Sequence, residues 1–371
     1  MMTGATLDCP AISTTCFTHP SKVIGGKHCG RLNICNCWHS AALPQQAARH
    51  LPPHRNEKLT TAADSLGPHK RRHWMTGPMA GHILFLGSDG RVGRMLRQVL
   101  SCPPQDLAEF ARRPLIWQAR APRAGAATLC WSPGVPLPEG LRAGVIVALW
   151  GVTPGTPNDL ENNTFLAQTA LDIARQTGAR RVLHMSSAAV YGAPTFAVSE
   201  ATPPQPRTPY GLAKLAMERA IFQARTKGNG PRNTLLRLGN VAGADALFGN
   251  LTGPVTLDRF ADGQGPSRSY IAPRDLARVI ARLAICPLSQ LPEVLNVAGP
   301  HPVAMADIAR AAGVAMTWRA APPEALARMT LATDGLSALG LHLPDSSDPA
   351  RLVAQWRTYT ADIAPLHRIA G

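Results

Sequence analysis

Apolar side chains recur with neither a two-residue nor a 3.6-residue period over residues 1–78, and the pattern changes abruptly at His82. The stretch HILFLGSDGRVGRMLRQVL, residues 82–100, reads as an apolar strand, a glycine-rich turn and an amphipathic helix with Val92, Met95, Leu96, Val99 and Leu100 on one side. Further apolar strands are predicted at 114–120, 127–131, 144–150, 180–187 and 233–240. Helical segments lie between several of them, notably at 162–178 and 209–226. Near-continuous apolar strands alternating with helices imply a parallel sheet covered on both faces, so the expected fold is α/β and doubly wound. The chain divides into an extension, 1–78, a nucleotide-binding domain, 79–240, and a small C-terminal α/β lobe, 241–371, from which the chain returns to the main sheet.

Composition agrees with a folded body. A chain of 371 residues, 45% hydrophobic and 16% charged, can bury a sizeable core. The formal charge of +15 raises the question of nucleic acid, but arginines are scattered and aromatics are only 5%, so an anionic small ligand is the expected partner and nucleic acid is not. No apolar run is long enough for a membrane span and no secretory h-region is visible, which predicts a cytoplasmic protein without membrane contact. Five of the eight cysteines, Cys9, Cys16, Cys29, Cys35 and Cys37, fall in the extension. A metal site from Cys29, Cys35, Cys37 and His39 would have a spacing outside the standard zinc patterns, so no metal is expected. The extension lacks a clear amphipathic helix for a transit peptide and is read as a disordered segment or an over-long start, with MAGHILFLG from Met79 as a natural beginning.

The turn Gly87-Ser88-Asp89-Gly90-Arg91-Val92-Gly93 carries the first chemistry. Gly87 suits a tight turn, Gly90 a close backbone approach to a pyrophosphate, and Gly93 close packing of helix on strand. The helix start, with Arg91 and Val92, then offers free N–H groups and the positive end of its dipole to phosphates.

From residue 82 onward the chain resembles the extended short-chain dehydrogenase/reductase family, the NAD(P)-dependent sugar epimerases and dehydratases, with a Rossmann-type domain. The resemblance rests on LGSDGRVG, HMSSAAVYG, SEATPPQPRTPYGLAK, LRLGNVAG, GPSRSYIAPRDLA and VLNVAGP, in the family's order. It implies Tyr210 as acid/base, Lys214 as the residue that favours the phenolate and holds the nicotinamide ribose, and Ser187 as hydrogen-bond partner of the reacting oxygen. Tyr210 and Lys214 are four apart at a helix start and so share a face. A phenol near pKa 10 must drop about 3 units, or about 4 kcal/mol, to act as a base near neutrality. Ser186 is expected as a strand-end residue and Tyr191 on the substrate side. In the family's sugar-nucleotide epimerases, R-x-x-N-x-x-G and R-x-Y-I segments hold the diphosphate, which implies Asn240 and Arg268 here. Asn163 matches a helix asparagine of structural use, and Asp275 is expected to cap its helix.

Three departures from the family stand out. The end of the second strand reads Gln118-Ala119-Arg120 where NAD users commonly place an acid, so NADP(H) is favoured over NAD(H), with Arg120 on the 2′-phosphate. CWSPG replaces an acidic segment near the adenine, and ALWGVTPG lacks the family's His-x-Ala-Ala. The function implied is an NAD(P)-dependent epimerase, dehydratase or oxidoreductase acting on a nucleotide sugar or related hydroxy or keto compound, possible as a homodimer through two helices per subunit. A net reductase of the dTDP-4-dehydrorhamnose reductase type and a non-catalytic NAD(P)-binding regulatory protein are the alternatives.

Overall fold

The computed structural model describes residues 81–121, 128–153, 156–225 and 230–360. The expectations for the extension, including its cysteines and histidines, lie outside the described residues.

Strand β1 (Ile83–Leu86) is buried along its whole length, and its side chains alternate between two cores. Ile83 and Phe85 pack with Met95, Leu96 and Val99 of the helix Arg91–Ser101, while Leu84 and Leu86 meet Leu171, Ile173 and Ala174 of the helix Pro157–Thr177. This two-sided burial is why the strand reads as an unbroken apolar run. Each such side chain taken from water contributes about 1.5–3 kcal/mol. Phe85 also stacks on Trp117 of β2, with ring centroids 4.2 Å apart.

The remaining strands of the main sheet are β2 (Leu115–Ala119), β3 (Thr128–Cys130), β4 (Val145–Ala148), β5 (Arg181–Ser187), β6 (Arg232–Leu238) and, from the C-terminal region, β11 (Val294–Val297). They form one seven-stranded sheet in the order β11-β6-β5-β4-β1-β2-β3, and every neighbouring pair is parallel. The strand order reverses between β1 and β4, so a crevice opens there at the carboxyl ends, where doubly wound sheets bind ligands. The predicted strands match these within a residue or two. The helix predicted from 162 begins earlier, at Pro157, because Thr156 and Asp159 form a reciprocal capping box and Pro157 occupies the first turn.

The C-terminal lobe is made of short strands: β7 (Asn240–Val241) pairs with β10 (Tyr270–Ile271), β8 (Val255–Arg259) with β13 (Met316–Ala320), and β9 (Ser267–Arg268) lies between β12 (Val303–Ala304) and β14 (Arg328–Met329). Phe248 sits edge-on to both Tyr270 and Trp356 in its core. The helix Pro273–Ile285 packs on the main sheet through Leu276, Val279, Ile280 and Leu283. Asp275 does not cap it directly, which corrects the sequence expectation. The Ser346 hydroxyl accepts the Ala272 N–H at 2.9 Å and donates to Asp275 Oδ2 at 2.6 Å, so a residue distant in sequence performs the cap and buried Asp275 holds that residue in place. Among the described residues, no helix is long and apolar enough to cross a membrane.

Candidate active site

The glycine-rich turn follows β1 at the crevice. Gly87 has a φ of +79°, and a Cβ on it would lie 2.6 Å from Cβ of Trp150 at the end of β4. A Cβ on Gly93 would lie 2.6 Å from Ser88 Cα, so the helix rests directly on the turn. Gly90 differs: it is exposed, and a Cβ there would meet only the Gly87 carbonyl, at 3.3 Å. It is the N-cap of Arg91–Ser101, no side chain caps that terminus, and no acid occupies the first turn. The first N–H groups of the helix therefore face an open approach with a positive dipole behind them, and this cradle fits a pyrophosphate. The Arg91 guanidinium reaches the Ala244 carbonyl across the crevice at 3.5 Å, and Val92 packs against the core.

Gln118 is buried and cross-links three strand ends. Its Oε1 accepts the Gly87 N–H at 2.7 Å and its Nε2 donates to the Trp131 carbonyl at 2.6 Å. Just beyond β2, the Arg120 backbone N–H donates to Asp89 Oδ2 at 3.0 Å, while the Arg120 side chain is exposed. Trp150 stands in the segment where His-x-Ala-Ala is missing, with its ring 6.4 Å from that of Trp131.

On the other side of the crevice, β5 ends in two serines that point opposite ways, as strand alternation requires. The Ser187 hydroxyl lies near the Tyr210 phenol, close enough to favour its ionised form, and accepts the Ala189 N–H. Ser186 donates to Glu218 Oε1 at 2.5 Å. Tyr210 opens the helix Pro209–Arg225, and Lys214, one turn on, is 3% exposed. The Lys214 ammonium donates to the Met185 carbonyl at 2.9 Å and lies 5.9 Å from the centre of the Tyr210 ring. A Cβ on Gly151 would touch both this Nζ and Asn163 Oδ1, so the lysine sits beneath the loop after β4. Asn163 fixes that loop, accepting the Val152 N–H and donating to the Val152 and Leu160 carbonyls.

The electrostatics differ in one respect from what the motif implies. Burial raises the Tyr210 phenol above its ordinary value, opposed by the Ser187 hydrogen bond. Burial also pulls the Lys214 ammonium down to about 8, opposed by the nearby Glu218 carboxylate. At rest, then, the phenol is protonated and the lysine only moderately basic, because burial disfavours the charged form of each.

Behind these groups runs a buried polar chain that the sequence did not announce. Arg237 forms a two-pronged pair with Glu218, at 3.1 Å from Nε and 2.7 Å from Nη2. Its Nη1 donates to the Tyr191 hydroxyl at 2.9 Å, and that hydroxyl donates to Asn296 Oδ1 on β11 at 2.8 Å. Tyr191 is 4% exposed, so its hydroxyl is used inside the protein. Glu218, four residues after Lys214 on the same helix face, could have been found from that spacing; Asn296, far off in sequence, could not.

The two expected diphosphate ligands lie in the lobe. Asn240 donates to Asp245 Oδ2 at 2.7 Å. Three of the five N–H groups of Arg268 go to the carbonyls of Ser267, Leu326 and Ala327.

His184 on β5 gives this region a pH signature. Burial, helped by the Lys214 charge, pulls its pKa down to about 4 against a hydrogen bond to Asn233. The unfolded chain takes up its proton near pH 6.5, so the neutral buried imidazole contributes its full stability above that value and loses it as pH falls toward 4. The loss from this one site is about 3 kcal/mol. Urea unfolding of His184→Leu at pH 7 and pH 4 is expected to show a correspondingly smaller acid loss than wild type; equal losses would contradict the assignment.

Residues 141–298 match the family model for the NAD dependent epimerase/dehydratase family, a segment running from before β4 through the Tyr210 helix to the end of β11. A UDP-glucose 4-epimerase from Azospirillum brasilense is 41% identical to this chain over 85 residues, 23% of the chain and 24% of that protein. A UDP-glucose 4-epimerase from Lacticaseibacillus casei is 36% identical over 102 residues, 26% and 30% of the two lengths. The chain thus spans about a quarter to a third of the curated relatives it matches. The solved structure of MoeE5 in complex with UDP-glucose and NAD superposes with a TM-score of 0.62 at 21% identity, covering 76% of this chain and 100% of that one. Thermus thermophilus UDP-glucose 4-epimerase in complex with NAD gives a TM-score of 0.60 at 22% identity, with the same coverage. These likenesses establish the fold that the chain shares with both proteins.

Proposed function

We propose that the protein is an NAD(P)-dependent epimerase or dehydratase acting on a nucleotide sugar or a closely related hydroxy compound. The observation that carries this reading is the grouping of Ser187, Tyr210 and the Lys214 ammonium, the last 5.9 Å from the Tyr210 ring centre, at the crevice opened by the glycine-rich turn. The pyrophosphate of the dinucleotide would be held by the N–H groups at Gly90, Arg91 and Val92, and its ribose by Lys214. When bound, the nicotinamide supplies the hydride-accepting position.

This chain's own residues handle the proton. Tyr210 rests protonated, fit to donate to an oxygen; to take a proton from a hydroxyl it must be brought down toward neutrality. Ser187 works in that direction by hydrogen bonding the phenolate, and the Lys214 ammonium on the ring face adds charge stabilisation while it is protonated. Arg268 and Asn240 would meet the nucleotide diphosphate, with Arg268 sharing its fork between an anion and the strand carbonyls it already contacts. The case for NADP(H) reduces to the exposed Arg120 guanidinium, whereas the two neighbours described above were solved with NAD.

A homodimer through the helices Pro157–Thr177 and Pro209–Arg225 also belongs to this reading, because they expose Phe165, Leu212 and Phe222. Sedimentation as a monomer would remove that part. The catalytic reading is tested by incubating the full chain with NAD and a panel of UDP- and dTDP-sugars and resolving the products. A new epimer or a dehydrated sugar is expected from at least one; no conversion across the panel with either NAD or NADP would contradict it.

A further inference from the structure

We propose that Asp245 takes up a proton from solvent when the diphosphate of a nucleotide sugar settles between Asn240 and Arg268, so that this carboxyl governs how tightly the substrate is held as pH changes. The proposal rests on the reading of Asn240 and Arg268 as the diphosphate's partners.

Asp245 stands on the lobe side of the crevice. Its chain neighbour Ala244 is the residue whose carbonyl the Arg91 guanidinium reaches from the glycine-rich turn, at 3.5 Å. Asp245 Oδ2 accepts the Asn240 amide at 2.7 Å, and Oδ1 accepts the Phe248 N–H at 2.9 Å, capping the short helix Ala246–Asn250. The amide assigned to the substrate is therefore already held by an acid. A diphosphate entering here brings its own negative charge to the same donor.

The groups that face Asp245 come from three short strands and one helix: Asn240 from β7, Arg268 from β9, Tyr270 from β10, and the Phe248 N–H. Burial raises the Asp245 carboxyl above the usual carboxylate range, opposed by Asn240, by the Phe248 N–H, by Tyr270 and, through space, by the Arg268 charge. Arg268 itself directs three N–H groups to the carbonyls of Ser267, Leu326 and Ala327, and feels Asp258 as well as Asp245. The charged carboxylate thus depends on neutral donors and on a cation turned elsewhere. The Tyr270 hydroxyl, on a fully buried side chain, finds no hydrogen-bond partner among the described residues and lies close to the same carboxyl.

A bound diphosphate reverses this balance. It draws on the Arg268 charge and the Asn240 amide, and it sets like charge beside the carboxylate, which favours the neutral acid. The protonated carboxyl gains an O–H that can donate to a phosphate oxygen, and its other oxygen keeps the Phe248 N–H, so the helix cap survives. The complex then holds a proton that the free protein lacks. By linkage, affinity falls as pH rises through the interval between the free and the bound ionisation, by about tenfold per pH unit at most.

The test is equilibrium dialysis of UDP-glucose, labelled in the uracil, against the NAD-loaded full chain between about pH 5.5 and about pH 7.5. Lys214, with its pKa about 8, keeps most of its charge over that range. Asp245→Asn retains an oxygen for the helix cap and every other titrating group, and removes only the ionisable proton. Wild-type Kd should rise by about tenfold or more across the range, whereas Asp245→Asn should vary by less than about twofold and bind more tightly than wild type at the upper end. A wild-type Kd independent of pH, or the same dependence in Asp245→Asn, overturns the proposal. If the variant does not fold, calorimetric titration of wild type in two buffers of different ionisation enthalpy decides: proton uptake on binding is expected, and its absence overturns the proposal. No binding of UDP-glucose at any pH overturns the diphosphate reading itself, and this proposal with it.

Discussion

Tyr210→Phe is expected to slow turnover by about 10²- to 10⁴-fold, the usual contribution of a positioned acid or base. The substitution keeps the aromatic ring and the first turn of the helix, and removes only the hydroxyl that pairs with Ser187. Stability should change little, since the deleted hydroxyl belongs to a half-buried residue and makes no hydrogen bond to the core. Dinucleotide affinity should survive, because the turn at Gly87–Gly93 and Lys214 are untouched. The wild-type rate should also fall on the alkaline side as Lys214, with its pKa about 8, loses its charge. Turnover of the phenylalanine variant at the wild-type rate would remove Tyr210 from the chemistry.

The sheet was readable in the sequence because both its faces are buried: β1 and β4 contain no polar position to blur the apolar run. The turn and the Tyr210–Lys214 pair were readable because their groups lie close together along the chain. Contacts made between distant segments were not. Ser346 capping the helix at Pro273, Asn296 closing on Tyr191, and Asp89 reaching past β2 each join residues that no local period relates. Polar side chains gave the least signal, since Gln118 and Arg237 look in sequence like ligand positions and in the structure spend their donors on the protein.

Glu218→Gln is expected to cost about 3–5 kcal/mol of folding stability, the loss seen when one partner of a buried ion pair is removed. Glu218 is 1% exposed and receives Ser186, Arg237 Nε and Arg237 Nη2, so the neutral amide leaves the guanidinium charge uncompensated in the interior and faces it with one N–H donor too many. The double variant Glu218→Met with Arg237→Met removes both charges together and should recover most of the loss. A functional signature should accompany the single change in the protein that still folds. Glu218 is the carboxylate that opposes the burial of Lys214, so without it the lysine should lose its proton at a lower pH and the alkaline limb of the rate profile should move down with it. Chemical denaturation and the pH profile of Glu218→Gln together check both parts; an unchanged midpoint, or an unmoved alkaline limb, would contradict the role given to this carboxylate.

The most direct test of the central claim is the nicotinamide absorbance of the NAD-loaded full chain after addition of UDP-glucose or the best substrate of the panel, followed in wild type and in Tyr210→Phe. The account predicts reduced nicotinamide in wild type and its appearance at least about a hundredfold more slowly in the variant. Equal rates in the two proteins, or conversion of the sugar in wild type without any change at the nicotinamide, would contradict it.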